Sequence, residues 1–370
     1  MPKLVWKVIN FTQSSLDITQ YVRSFSFTTG RPSPLSPYGG NSASITMSSY
    51  GGIEDFVLTG DTIQIEATPT GGTNWNIFTG FITSRTFDDN PGTGINSLMT
   101  VNLNDAMLEA GVANIQNQSL VSVNLQINEL NNLLPQTSIY QNLPTDVNIS
   151  VGSFTTNVNQ RFNEIFAAAR GVLRNEAQGE FRSPSEFGDL VLSTVSIGRT
   201  TSASQIAYQN IVRVEAASNS LFYTQATVTG SASTVTSDNA AAQTLYGRRT
   251  FTVTTAQSNL VSETADWYAN TYTDPETVML NLSLTDVAQN ETALQLFAEV
   301  LASNYFVQVS FTPPGGVSTT GYYWPEQITF NATTSQTTID MAMTPLTYYA
   351  NFILDDSVFG VLDTDRLGVS

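Results

Sequence analysis

Cysteine and histidine are both absent from the 370 residues. No disulfide framework, thiol nucleophile, haem ligand or zinc site of the usual kind can form, and no mechanism that needs imidazole is open to the chain. Lysine is nearly absent too, with only Lys3 and Lys7. Acidic residues outnumber basic ones 31 to 14, for a formal net charge of −17. Such a chain lacks the basic footprint for gripping nucleic acid or an anionic membrane. No run approaches the roughly 18 apolar residues of a membrane span. The opening apolar stretch is interrupted by Lys7 and Asn10, so it does not read as a signal peptide, and synthesis without export is expected. Charged residues are only 12% against 41% apolar, a balance that suits packed cores rather than solvated disorder. At this length two to four domains are expected.

What is present is alternation. Leu4, Trp6 and Val8 share one face of the opening segment, and Tyr21, Arg23, Phe25 and Phe27 repeat the habit. Ser44–Met47, Thr62–Ile65, Ile77–Ile82 and Leu98–Leu103 follow. Branched and aromatic residues alternating with Thr, Ser and Asn describe strands with one dry face. Between them lie turn formers, among them Gly30-Arg31-Pro32, Pro37 to Gly40, Tyr50-Gly51-Gly52, Thr70-Gly71-Gly72 and Asp89 to Gly92. Residues 1–112 therefore read as a first β-barrel or sandwich domain.

Residues 113–200 change character. A polar Asn/Gln-rich stretch precedes a helix opening near Asn159, whose apolar stripe runs Phe162, Ile165, Phe166, Ala169, Val172 and Leu173. Leu190–Leu192 reads as a strand, so this part is expected to be a small α+β middle domain. From Tyr208 the β pattern returns in Ile211–Glu215, Phe222–Ala226, Thr250–Val253, Val278–Leu282, Phe306–Val309, Gln327–Phe330 and Thr338–Met341. Residues 229–242, rich in Ser, Thr and Ala, read as an exposed loop. Leu260 to Tyr272 has helical spacing, with Asp274-Pro275 as its stop. Residues 291–302 fit either helix or strand. Residues 201–345 form a second β-barrel domain on this reading, and residues 346–370 a C-terminal docking tail. The fold class expected is mainly β with a small α+β portion.

Candidate chemistry is thin. The pairs Asp88-Asp89 and Asp355-Asp356 could serve glycoside hydrolysis only by facing each other across a cleft, whereas neighbours on a strand point to opposite faces. Asp88-Asp89 also precedes Asn90-Pro91-Gly92, where acids are ordinary turn residues. Asp363-Thr364-Asp365 lacks the glycine and downstream glutamate of a calcium loop. The basic doublet Arg248-Arg249 reads as a source of internal or interface ion pairs rather than a phosphate site. No Walker, dinucleotide, nucleophile-elbow or zincin pattern occurs. No catalytic residue, metal ligand or cofactor is assigned. Tyr322-Tyr323-Trp324 could form a stacking platform for sugars, though a core strand is the commoner use. The tail is harder to explain as filler: Phe352, Leu354, Val358, Phe359, Leu362 and Leu367 are apolar interaction candidates that either fold back on their own domain or dock on another chain.

The order of segments resembles the minor tail and baseplate-hub proteins of tailed bacteriophages. The resemblance is carried by Tyr21 to Arg31, by the small-residue strand Asn41 to Met47, by Gly60-Asp61-Thr62-Ile63-Gln64-Ile65, by Phe78-Thr79-Gly80-Phe81-Ile82 and by Asn104-Asp105-Ala106. Tyr246-Gly247-Arg248-Arg249 and the closing Leu354-Asp355-Asp356-Ser357 to Leu367-Gly368 extend it over nearly the whole chain. It implies two tail-tube-like barrels per subunit and a homotrimer, so that three copies present a quasi-sixfold ring. It further implies a non-enzymatic virion protein at the tail tip or baseplate, assembled in the host cytoplasm. Its partners would be a tail tube or distal tail protein and a distal fibre or spike protein. Phage DNA would pass through without specific binding, and no membrane contact is expected. No lysozyme, peptidase or fibre domain is appended before Ser370, so such roles would belong to other chains. The competing reading is a secreted or surface β-sandwich that binds glycans.

Overall fold

The computed structural model describes residues 5–36, 40–68, 74–89, 97–105, 108, 114–115, 156–157, 160–161, 163, 193–198, 205–207, 210–216, 221–230, 232–255, 260–285, 307–312, 319–334, 336–345 and 348. The fold is mainly β, as the alternation implies. The first region contributes β1 (Val5–Asn10), β2 (Leu16–Asp17), β3 (Val22–Gly30), β4 (Ser42–Ser49), β5 (Thr62–Thr68), β6 (Trp75–Asp88) and β7 (Ser97–Asn104). Two short strands, β8 (Asn114–Ile115) and β9 (Thr156–Asn157), pair with each other. The second region holds β10 (Ser193–Gly198), β11 (Gln205–Ala207), β12 (Asn210–Glu215), β16 (Val278–Thr285), β17 (Val307–Phe311), β18 (Thr319–Thr333) and β19 (Thr337–Pro345). Set between them are β13 (Gln225–Thr229), β14 (Thr234–Asp238) and β15 (Thr250–Thr254), with helices α1 (Ala240–Tyr246) and α2 (Val261–Thr271).

Both regions belong to one 14-stranded sheet. In the first, the order runs β3-β4-β7-β6-β5-β1-β2. The 14-residue β6 serves two neighbours, β5 along Trp75–Phe81 and β7 along Phe81–Asp88, with a register shift between Ile82 and Ser84 that turns the corner. Gly80 sits at this corner because a Cβ there would lie 2.7 Å from the Phe78 ring and 2.8 Å from the Asn104 carbonyl. The sheet then curls until β1 faces β3. Trp6 fills the seam, its ring centroid 5.4 Å from Phe25 and 5.0 Å from Phe330. In the second region the path runs β10-β17-β18-β19-β16-β12. β11 pairs with β10, β12 pairs with β16, and these two strands follow one another along the chain.

The joint is β18. Its first stretch pairs β17 (Val307↔Tyr323 to Phe311↔Thr319) and its second pairs β3 (Gln327↔Gly30 to Thr333↔Ser24), while β19 runs along the other edge. One core results. Phe25, Ile45 and Val101 of the first region belong to the same buried cluster as Leu282, Val309 and Met341 of the second. Phe330 of β18 stacks between them, 5.7 Å from Phe25 and 5.3 Å from Phe27.

Several expectations are corrected here. Residues 229–242 are not a loop: a turn closed by Gly230 N–H to the Ser233 carbonyl joins β13 to β14, and α1 follows. Asn239 caps that helix, accepting from Ala242 N–H at 2.9 Å. The segment looks like a loop because Thr234, Thr236 and Asp238 keep one face of β14 exposed. The strand expected at Phe222–Ala226 begins at Gln225. The helix at Leu260–Tyr272 stands as α2, packed on β13 and β14. Gln160, Arg161 and Asn163 are helical, but the stripe from Phe162 to Leu173, the strand at Leu190–Leu192, residues 291–302 and the tail from 349 lie outside the described residues.

Gly30 ends β3 at φ +97°, and a Cβ on it would lie 1.9 Å from the Glu326 carbonyl oxygen. Gly247 also has positive φ, +76°, but open space around it. Gly30→Ala should therefore lower unfolding free energy by more than about 3 kcal/mol, and Gly247→Ala by only about 1 kcal/mol, in paired denaturant titrations. Equal losses would mean that the joint is not where the chain is most constrained.

Candidate functional site

Among the described residues, the side chains that sequence reasoning put forward form no catalytic centre. Asp88 and Asp89 are both exposed at the end of β6. Asp355, Asp356, Asp363, Asp365 and the interaction candidates Phe352, Leu354, Val358, Phe359, Leu362 and Leu367 lie outside the described residues. Among the described residues no group of acids could hold a metal ion. A shallow open depression lined by Phe11, Thr12, Thr62, Gln64 and Thr79 carries no ionisable group. Tyr323 and Trp324 are buried in the core at 7% and 1% exposure, so the aromatic run of β18 offers no stacking platform. Tyr322 is half-buried, its hydroxyl accepting from Gln308 Nε2 at 3.0 Å.

The acids that matter structurally are buried ones in the recognised segments. Asp61 accepts from Asn10 Nδ2 at 2.7 Å and from Leu58 N–H at 2.9 Å, tying the β1 end to the turn before β5. Asp105 accepts from Asn41 N–H at 2.7 Å and Leu108 N–H at 2.8 Å, tying β4 to the end of β7. Each carboxylate satisfies backbone donors that a turn would otherwise leave orphaned. The Gly-Asp and Asn-Asp pairs are thus turn locks, and the signal for them was their place directly before or after a strand.

The least expected feature is at the joint. A register shift between Pro325 and Gln327 leaves Glu326 as the extra residue on β18. Its backbone carbonyl accepts from Arg31 N–H at 2.8 Å, and its carboxylate accepts from Arg31 Nε at 2.8 Å. Both side chains are almost wholly buried, 10% and 2% exposed. Beside this pair stands a tyrosine cluster. Tyr272, at the end of α2, lies 4.8 Å from Tyr348 and 6.4 Å from Tyr268 by ring centroid, and it is 2% exposed. Burial raises the Tyr272 phenol well above its usual 10.0, neighbouring Tyr268 adds to the rise, and the Arg31 charge opposes it. The cluster fastens the small α/β unit to the joint through Tyr348, the residue described after β19.

Exposed apolar side chains gather elsewhere. Phe11 lies in the turn after β1, and Tyr50, Phe56 and Leu58 lie on the turn after β4, at 39–51% exposure. The two turns meet where Asn10 Nδ2 donates to the Phe56 carbonyl at 2.8 Å. Arg85 braces the second turn by donating to the carbonyls of Glu54 and Val57. On the small unit, Leu245 and Tyr246 at the end of α1 are 74% and 46% exposed, with Arg248 and Arg249 exposed just after them.

No family model matches the chain, and no curated protein does. Solved structures do. A tail protein from Neisseria meningitidis MC58 superposes with a TM-score of 0.57 at 11% identity, over 92% of this chain and 96% of that one. The 43 kDa tail protein of prophage MuSo2 from Shewanella oneidensis gives 0.54 at 10% identity, over 93% and 98%. A chain in the Francisella PdpA–VgrG complex gives 0.50 at 11% identity; 93% of this chain matches 53% of that longer one. At such low identity the likeness establishes a shared fold.

Two expectations follow from the joint. Arg31→Met leaves the Glu326 carboxylate buried without its guanidinium and should cost about 3–5 kcal/mol, while Arg31→Met with Glu326→Leu should recover most of that loss in a double-mutant cycle. The raised Tyr272 pKa means that the folded state holds its phenol proton more tightly than the unfolded chain does. The stability tied to it is complete below about pH 10 and is lost as pH climbs through 10 toward the folded value. Tyr272→Phe should flatten alkaline unfolding above pH 10 by about one proton's worth of slope, read by denaturant titration across pH 9–12.

Proposed function

We propose that this chain, which carries the fold of prophage tail proteins, is a non-enzymatic structural protein of a phage tail. On this reading it forms a homotrimeric hub at the tail tip or baseplate. Three copies, each with two barrel modules, would make a quasi-sixfold ring toward a tail tube or distal tail protein and a threefold face toward a fibre or spike protein. The observation that carries the proposal is the shared β18, which holds the two barrel modules of one chain in a fixed mutual orientation. A symmetry adaptor needs that rigidity, since two modules on a flexible linker could not hold equivalent positions in a ring.

Other observations support it. The exposed rim of Phe11, Tyr50, Phe56 and Leu58 is a ready contact for a neighbouring ring. A low-charge surface suits the large obligate interfaces, on the order of 2,000 Å² or more, that a ring requires. The net charge of −17 suits a wall around the DNA exit channel, where carboxylates would repel phosphates and keep the genome from sticking. The glycan-binding alternative loses its platform, because Tyr323 and Trp324 are core residues.

Native mass measurement tests the reading. From 40.1 kDa per chain, three copies come to about 120 kDa. A closed dimer, or a monomer that binds sugars in a glycan screen, would overturn it. Within a trimer, Phe56→Ser with Leu58→Ser should leave the melting temperature within a few degrees of the parent while weakening attachment to tail particles at least tenfold.

A further inference from the structure

The geometry points to the end of α1 as the docking site of this chain's own C-terminal segment, residues 349–370, through an apolar contact flanked by ion pairs. The inference does not depend on the phage-tail reading. It begins with what the patch offers. Leu245 is the most exposed large apolar side chain among the described residues, and Tyr246 beside it is 46% exposed. The Tyr246 ring stands at 90° to Phe222, 5.1 Å away, and Arg249 lies over the same Phe222 ring at 5.0 Å. Arg248 and Arg249 are both exposed, and neither is in a salt bridge with a described residue. Other described arginines have assignments: Arg31 to Glu326, Arg23 to Ser48 and Arg85 to backbone carbonyls. Hydrogen bonds from Gln225 and Gln243 hold the Asp238 carboxyl below its usual range, and Arg248 is near enough to add to this. Arg249 lies over Phe222, but neither arginine is in an ion pair with a described residue. In a chain of −17, the complement of this doublet and the exposed leucine and tyrosine beside it is one that is apolar and acidic together.

The segment after Tyr348 has that composition. Phe352, Ile353 and Leu354 run directly into Asp355 and Asp356, and Val358 and Phe359 follow. Its origin is close to the patch. Tyr348 is 4% exposed and packs on Tyr272, the Tyr272 carbonyl accepts from Tyr223 N–H at 2.7 Å, and the next residue, Phe222, touches Tyr246. At roughly 3.3 Å per extended residue, Asp355 can reach about 23 Å from Tyr348, enough to span this chain of contacts. Docking would cover Leu245 and Tyr246 with the apolar side chains and set Asp355 and Asp356 against Arg248 and Arg249. That gives the doublet the interface ion pairs it lacks.

The absence of cysteine from the 370 residues makes disulfide trapping in this chain clean. Leu245→Cys combined singly with Phe352→Cys, Val358→Cys or Phe359→Cys should give an intrachain disulfide under mild oxidation, seen as monomer of altered mobility on a non-reducing gel. Phe87→Cys on the first barrel, paired with the same tail cysteines, is the control. Arg248→Glu in the crosslinking background should slow trapping at least fivefold, and adding Asp356→Arg should restore it. Raising salt from 50 mM to 1 M should slow the parent pair alone in the same direction. Thermal melts of each variant establish that it is folded. Trapping no faster than the Phe87 control, or disulfides only between chains, would overturn the proposal, as would trapping indifferent to both charge reversal and salt.

Discussion

A single strand can satisfy only one partner along each stretch of each edge, and β18 uses this limit to join the two β regions. One of its edges pairs β19 from Tyr323 to Ala332. The other is divided, first to β17 and then to β3. A strand cannot change partners in mid-course without a break in register, because each ladder imposes its own alignment and twist. The break is the bulge at Pro325–Gln327. Proline suits the place since it has no N–H to contribute to a ladder. Glu326, the residue left over, faces its carbonyl and its carboxylate toward Arg31, where the β3 chain leaves the sheet. Gly30 has no side chain because the Glu326 carbonyl occupies the space.

From that arrangement the rest follows in order. The two modules share one hydrophobic cluster, so rotating one against the other would expose Phe25, Phe27 and Phe330 together. The buried Arg31–Glu326 pair adds specificity: a rearranged joint would leave two unpaired charges out of water. The tyrosine cluster then extends the same rigidity to the small α/β unit, since Tyr272 and Tyr348 meet beside the pair. Among the described residues, the exposed large apolar side chains include those of the turns after β1 and β4 and of the end of α1.

Much of this was legible in the residues. β1, β3, β4, β5, β7, β16, β17 and β19 all fall where alternation placed a strand, because each has one face in the core and one outside. The lengths of β6 and β18 were not legible. Each changes partner partway, and the residues at the change, Gly80 with Phe81 and Pro325 with Glu326, break the alternation on which the reading depends. The loop expected at 229–242 failed for the opposite reason: β14 alternates, but between Val235 and threonines, a contrast too weak to register. As for the site, the Tyr322–Trp324 run was visible as a core strand, whereas the Arg248-Arg249 doublet, read as a source of ion pairs, is exposed and in no salt bridge with a described residue. Arg31–Glu326 was not visible, since nothing local connects residues 295 apart in the chain.

The amino-acid order by itself determined the class of the molecule: β-rich, thiol- and imidazole-free, and acidic. Those properties are local or additive, set by composition and by a side-chain period of two. Tertiary structure alone decided that the two β regions are one sheet, that Glu326 is buried against Arg31, and that Tyr348 enters a core made by an inserted unit. Each of these depends on which strand edges meet, and edges are backbone groups that every sequence carries alike. Partner choice between them is settled by the whole set of buried faces at once, which no single segment records.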